Sequence, residues 1–410
     1  MSDTSTLLPI SSVGVFVQNK QLQKSLESVG NDWRFPRVQI DIVDGDVEDA
    51  ISRYKSEETH DLIIIETLSI DDNFSDRLGA LSEHCTEDTA AIIVGPENDV
   101  NLYRKLMSMG ISDYLVHPID QEALADVIAK ALIERLGTAK SRLVTVMGAK
   151  GGVGTSSVAQ ALALGCSETL KQKTLLFDAA GGASYASVAL GQEPITTLKE
   201  ASRAALADDE GSMKRMLVDV DDHLSLLASG GEPLLEEPVQ LEGFDNILNS
   251  VMTTYPVVIF DASNTSVPIQ RSALSQSHKI YILTTPTLSS LRTARTLIQE
   301  IKTLRGGDDE KNVIHLVMNM KGQFSGQEIS KGEAEKALEH DIDIVLDFDP
   351  KLFPAAEIDG QKITQIKGSE KIVEDLLKDM EALVGSKKSN TEDSNKKSGL
   401  LDGLLEKLKG

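Results

Sequence analysis

The feature that most constrains this chain is an alternation, run through twice, of short β-branched stretches with longer helical ones. In the first series residues 13–17, 38–42, 62–65, 91–94 and 113–116 read as strands, and 22–29, 47–54, 74–85, 100–109 and 121–136 as helices between and after them. In the second, strand runs fall at 143–147, 174–177, 224–228, 257–260, 279–283, 313–318 and 342–346, with helical patterns including 158–164, 244–254, 289–304 and 372–383. Strands that alternate with helices predict a mostly parallel, doubly wound sheet in each series. The stretch 208–222 is charged and reads as a surface loop around a short helix. From residue 386 the composition shifts to Ser, Asn, Lys and acids, which bury too little apolar surface to order. The expected division is a first domain over 1–136, a polar joint at 137–142, a second domain over 143–385 and a flexible tail at 386–410.

Composition removes several function classes. Among 410 residues, 41 Lys+Arg against 64 Asp+Glu leave a net charge of −23, so no nucleic-acid partner is expected. Binding a phosphate backbone needs clustered basic residues to release counterions. Two cysteines, Cys85 and Cys166, exclude a disulfide framework and a Cys-rich metal site, and suit a reducing compartment. Residues 1–12 lack the basic and apolar regions of a signal peptide, and no run approaches the ~20 apolar residues that span a bilayer. A cytoplasmic protein, at most lying on a membrane surface, is expected.

The chemistry is concentrated after the strand run at 143–147, where Gly148-Ala149-Lys150-Gly151-Gly152-Val153-Gly154-Thr155-Ser156 precedes a helix from Ser157. Glycines let successive backbone N–H groups turn inward around a phosphate, and the helix N-terminus adds positive potential. Gly151, Gly152, Val153, Gly154, Thr155, Ser156 and Ser157 are the candidate phosphate contacts. Asp261, closing the strand run at 257–260, is a candidate to hold Mg²⁺ through water.

This loop resembles the deviant Walker A of the MinD/ParA family, KGGxGK[ST]. The resemblance implies ATP and Mg²⁺ as cofactors, with Lys150 reaching across a dimer interface to the partner's nucleotide and the Ser156 hydroxyl ligating the metal. Thr155 stands where the usual P-loop lysine would be. Losing that lysine removes a charge-assisted contact worth about 1.5–3 kcal/mol, roughly ten- to a hundredfold in affinity. Hydrolysis should suffer more, because the same charge stabilises the transition state. Asp178-Ala179-Ala180 matches the family's DxD, with Asp178 retained as a catalytic candidate beside Lys150 and Ala180 replacing the acid that positions water. Asn319, after the run at 313–318, falls where the family often contacts adenine, and Thr285-Pro286-Thr287 matches its turn after the sixth strand.

The first domain carries a different likeness. Gly110–Asp120, GISDYLVHPID, resembles the last strand of response-regulator receiver domains, which implies a flavodoxin-like fold over roughly the first 135 residues. The phosphoacceptor chemistry is missing. Gln18 and Asn19 replace the Mg²⁺-binding acid pair, Glu66 stands at the acceptor aspartate, and His117 takes the lysine position before Pro118, whose peptide bond is expected cis. A degenerate receiver acting as an interaction or dimerisation module is expected, with Glu66 fixing one phosphorylation-independent state.

A receiver-like domain fused to this altered loop resembles the CpaE/TadZ family, in which GAKGGVGTSSVAQALA is typical. Phe348-Asp349-Pro350-Lys351-Leu352-Phe353, with Ala355, Ala356 and Gly360, is similar to that family's FDPKLF…AxxxG segment, although Glu357, Ile358 and Asp359 replace its usual Asn pair. The resemblance implies a cytoplasmic, polarly placed homodimer that recruits Tad/Flp type IV pilus secretion components at the inner membrane. An active MinD/ParA-type partitioning ATPase for another cargo is the alternative, opposed by Thr155, Ala180 and the acidic charge. In the tail, Leu400, Leu401, Leu404, Leu405 and Leu408 fall within ~140° on a helical wheel. MinD proteins end in a similar membrane-targeting helix, so peripheral membrane contact through Gly399–Gly410 is an expectation.

Overall fold

A computed structural model describes residues 6–384 apart from 9–10, 69, 72, 87–88, 136–140, 181–183, 208, 231–238, 308–312 and 353–360. The expected tail at 386–410, most of the joint, and the segment carrying Phe353, Ala355, Ala356 and Gly360 lie outside the described residues.

Five strands build the first sheet: β1 (Ser11–Phe16), β2 (Val38–Val43), β3 (Leu62–Glu66), β4 (Ala90–Gly95) and β5 (Asp113–Val116). Every neighbouring pair is parallel, in the order β2-β1-β3-β4-β5, one of the two common doubly wound orders. Alternate strand residues face opposite cores. Val13, Val15, Leu62, Ile64 and Ile92 pack beneath α1 (Lys20–Val29) and α5 (Gln121–Arg135). Phe16, Ile63, Ile65 and Ile93 meet α2 (Val47–Tyr54), α3 (Phe74–Ser82) and α4 (Val100–Ser108). The His117–Pro118 peptide bond is cis.

The second sheet has eight strands: β6 (Arg142–Gly148), β7 (Thr174–Asp178), β8 (Val218–Asp219), β9 (Leu224–Ala228), β10 (Val257–Asp261), β11 (Lys279–Thr284), β12 (Ile314–Lys321) and β13 (Ile344–Asp347). Their order is β13-β12-β11-β6-β10-β7-β9-β8, and only β8 runs antiparallel to its neighbour. The charged stretch read as a loop is therefore corrected in part. It forms α9 (Glu210–Met216) and then β8, which pairs Val218 with Leu226 and Asp219 with Ser225. A two-residue edge strand is too short to leave a period-2 signal.

Both faces of this sheet are covered, which is why its strands read as nearly unbroken apolar runs. On one face Leu143, Leu175, Phe177, Val258 and Phe260 pack under α8 (Leu198–Leu206), α10 (Leu241–Thr254), α11 (Val267–Gln276), α12 (Leu288–Leu304) and α13 (Lys331–Leu338). Phe177, Phe244 and Phe260 form a ring cluster there, with centroids 5.8, 5.3 and 5.2 Å apart. On the other face Val144, Val146, Leu176 and Ile259 meet α6 (Thr155–Leu164), α7 (Tyr185–Ala189) and α14 (Glu370–Val384). Helix α14 comes so near that a Cβ on Gly165 would lie 2.9 Å from Leu377 Cδ2.

The strand order places the site. After β6 the chain crosses by α6 toward β7, past β10 on one side. After β10 it crosses by α11 to β11, on the other side of β6. Neighbouring strands whose connections leave in opposite directions open a crevice at their C-terminal ends, where doubly wound folds bind ligands.

Candidate functional site

Gly148, the last residue of β6, opens the loop at that crevice. Gly152 and Gly154 take φ values of +79° and +90°, a left-handed conformation that only glycine adopts without strain. A Cβ on Gly151 or Gly152 would meet nothing within 4 Å, so both face open space. Lys150, Gly151 and Gly152 are exposed, while Val153 is buried as the loop's anchor. Helix α6 begins at Thr155 with Gly154 as its N-cap and no side-chain cap, leaving its first-turn N–H groups directed at the loop. This is the arrangement that receives an oxyanion.

Thr155 does not imitate a lysine. Its side chain is buried and folds back on β6, where a Cβ on Gly148 would come within 2.3 Å of Thr155 Oγ1. Ser157 is half-buried in the first turn of α6. Asn319, on β12, is buried and donates its amide to the Val153 carbonyl at 2.9 Å. It lies so near the loop that a Cβ on Gly154 would stand 2.5 Å from Asn319 Nδ2. The residue expected beside adenine thus holds the phosphate loop from behind.

The acids lie at the ends of the adjoining strands. Asp261 is 1 % exposed; Oδ1 accepts the Ser263 N–H at 2.9 Å, and Oδ2 is buried without a hydrogen-bond partner. Burial, reinforced by the negative charge of Asp178, pushes the Asp261 carboxyl up to about 6. Ser156, in the first turn of α6, shares a 2.9 Å hydrogen bond with Ser263, and both hydroxyls act on this carboxylate, opposing part of the upward shift. An orphaned carboxylate oxygen beside hydroxyls is a donor set that fits a hard divalent cation, and Ser156 and Asp261 are the residues that would hold it.

Asp178 is placed differently. Its Oδ1 accepts the Ala180 N–H at 2.9 Å, and its Oδ2 accepts the Ser184 hydroxyl at 2.8 Å and the Ala186 N–H at 3.2 Å. Both oxygens are occupied in anchoring the turn into α7, so the acid read as catalytic contributes charge here rather than an open oxygen. Ser263 and Ser184 were missed at the level of sequence. The available signal was a hydroxyl placed shortly after each strand-end aspartate.

In the first unit Glu66 is 3 % exposed and fully engaged. Its Oε2 accepts the Gln18 and Asn19 N–H groups at 2.8 and 2.7 Å, and His117 Nε2 donates to Oε1 at 2.9 Å. A small cavity of ≈ 260 Å³ opens beside it between Asp46, Glu48, Thr67 and Arg77.

No family model matches the chain, and no curated protein matches it. Solved structures do. A ParA family ATPase from Chlorobium tepidum TLS is 20 % identical with a TM-score of 0.52, over 58 % of this chain and 98 % of its own. A pilus assembly protein CpaE from Caulobacter crescentus CB15 is 27 % identical with a TM-score of 0.30, over 30 % of this chain and 95 % of its own. MinD from Pyrococcus horikoshii OT3, solved with Mg-ADP, is 18 % identical with a TM-score of 0.46, over 59 % and 96 %. The ParA likeness shows the fold, α/β with a mostly parallel sheet. Among the described residues no helix is long and apolar enough to cross a membrane.

Proposed function

We propose that the chain is an ATP-binding, self-associating scaffold of MinD/ParA type whose hydrolysis is weak or absent. The observation that carries this reading is the glycine cradle at an uncapped helix, set beside the orphaned oxygen of Asp261. Loop N–H groups hold the phosphates, Ser156 and Asp261 hold Mg²⁺, and Thr155 supplies no cation. Catalysis is poor because Thr155 supplies no such charge and Lys150 is exposed to solvent.

Self-association is supported by exposed apolar residues past the strand ends of the second sheet. Val267, Leu288, Phe324 and Phe348 are exposed apolar residues, each shortly past the C-terminal end of a strand of the second sheet. Exposed apolar residues at the end of the sheet that also carries an exposed lysine suit a second copy of the same face. The finer reading is a CpaE/TadZ-type organiser of Tad/Flp pilus assembly, cytoplasmic and polar, in which a degenerate receiver unit at 1–136 serves as an interaction module and Gly399–Gly410 touches the inner membrane. It rests on the sequence likeness at residues 148–163 and 348–353 and on the succession of two α/β units.

Equilibrium binding of Mg-ATP to the full chain, with Lys150→Ala as control, tests the core of the proposal. Micromolar affinity, nucleotide-dependent sedimentation as a dimer, and phosphate release barely above background are expected. Rapid turnover would favour a partitioning ATPase, and no binding at all would reduce the loop to a structural turn.

A further inference from the structure

Helix α11 follows Asp261 directly, and the first unit grips it along its C-terminal half. At its start, Gln270 Nε2 donates to the carbonyls of Ala262 and Thr265, each at 3.2 Å, so the loop carrying Asp261 and Ser263 is tied to the helix. Further along, the Ser272 hydroxyl donates to Asp245 Oδ1 at 2.5 Å, and Gln276 Nε2 donates to the same oxygen at 3.0 Å. Asp245 Oδ2 is met at 2.8 Å by Arg37 Nη2, which also donates to Ser272 at 3.0 Å. Arg37 lies just before β2 in the first unit, so this is a buried ion pair between units; the Asp245 side chain is 3 % exposed.

The end of α11 is held in the same way. Arg305 Nη1 donates to the carbonyls of Leu274, Ser275 and Ser277 at 2.8, 3.1 and 3.1 Å. Its guanidinium lies over the ring of Trp33, 5.2 Å from the centroid. Gly306, at φ +87°, leaves room for that ring, since a Cβ there would fall 2.3 Å from Trp33 Cδ1. The Leu7 N–H donates to the Ser275 carbonyl at 2.8 Å.

Apolar packing would join two units with less desolvation than a buried charge pair. A polar joint concentrated on the helix that leads out of the metal-phosphate crevice ties position in one place to position in the other. We propose that Arg37 and Trp33 are positioning residues for the nucleotide site. By holding α11, the first unit sets where Asp261 and Ser263 stand, and nucleotide binding in turn tightens the docking of the first unit. This rests on the nucleotide-binding reading above. Linkage makes the two effects equal in free energy.

The chain has one tryptophan, Trp33, so its fluorescence reports this joint alone. Full-length protein is titrated with Mg-ATP, binding being read by calorimetry and Trp33 emission in parallel. A saturable emission change with the calorimetric midpoint is expected. The paired Arg37→Met, Asp245→Leu variant keeps the joint filled without charge, and it should bind Mg-ATP about fivefold or more weakly, the lower end of ordinary coupling. It should also lose the emission response, and in EDTA its affinity should match the wild type, because Asp261 acts through the metal. Arg37→Lys should recover part of the affinity. Should the paired variant fail to fold, the wild-type emission titration decides alone. Calorimetric binding with silent Trp33, or unchanged affinity in a folded paired variant, overturns the coupling while leaving the nucleotide reading intact. Absence of calorimetric binding overturns both.

Discussion

Asp261 and Asp178 are register partners at the C-terminal ends of neighbouring parallel strands, both buried, and only Asp178 has both oxygens hydrogen-bonded. Two carboxylates so placed repel each other, and the one with the unsatisfied oxygen takes the proton. A cation at Asp261 relieves that repulsion, so the pair is unfavourable without metal and favourable with it.

The Asp261 carboxyl is raised from 3.8 to about 6, so the fold holds a proton that the unfolded chain has lost between those values. Its contribution to stability therefore declines as pH rises through that window and stays lost above it. Asp261→Asn should raise the stability of the metal-free protein at pH 7 by on the order of 1–3 kcal/mol, since each tenfold change in proton affinity is worth ~1.36 kcal/mol. The gain should vanish by pH 4. The same variant should lose Mg²⁺-dependent nucleotide binding. Melting curves in EDTA at pH 4 and pH 7 check the sign, and a destabilised variant at pH 7 would refute the account.

Restoring a cation to the loop is the complementary change. Thr155→Lys supplies a charge at the start of α6, at the position whose present side chain folds back on Gly148. Mg-ATP affinity should rise about ten- to a hundredfold, the worth of a charge-assisted contact of ~1.5–3 kcal/mol. Phosphate release should rise with it, though not to the level of an efficient ATPase if, as the family likeness implies, an acid at the place of Ala180 positions water. Equal affinity in both proteins would mean that the loop does not meet phosphate.

Asn319 supports the loop from another strand, donating to Val153 across 166 residues of sequence. Asn319→Ala leaves the buried Val153 carbonyl unpaired, which destabilises by about 1–3 kcal/mol. Gly154→Ala adds a side chain at φ +90° and at 2.5 Å from the Asn319 amide, so it should be worse. Nucleotide affinity should fall in both, by more than the change in melting temperature alone explains. Adenine need not be involved, and GTP binding should weaken by the same factor as ATP.

These contacts mark where sequence reading ran out. The strands were legible because a sheet covered on both faces demands unbroken β-branched runs such as Leu62–Glu66 and Val257–Asp261. The loop was legible because strand, glycines and helix follow each other directly. Strand β8 was hidden by its two residues, and its charge resembles that of a loop. Asp178 was assigned by motif alone, whereas its partners Ser184 and Ala186 are set by how the turn folds. The grip of Arg37 on Ser272 spans 235 residues and leaves no periodicity in either segment.

Glu66 gives the last prediction, in the first unit. Its two oxygens take two backbone N–H groups and His117, so Glu66→Ala leaves three polar groups without their acceptor. A loss of about 2–4 kcal/mol is expected, from ~1.5–3 kcal/mol for hydrogen bonds to a charged group plus the unpaired donors left behind. Glu66→Gln should lose less, because an amide oxygen still accepts from Gln18 and Asn19. Glu66→Asp is the informative variant. It restores the side-chain length of a phosphoacceptor, yet Gln18 and Asn19 still offer no anionic ligands for Mg²⁺. Incubation with acetyl phosphate and Mg²⁺ should therefore leave the mass of both the wild type and Glu66→Asp unchanged. A phosphoryl adduct on Glu66→Asp would overturn that expectation and make one methylene at residue 66 the obstacle instead.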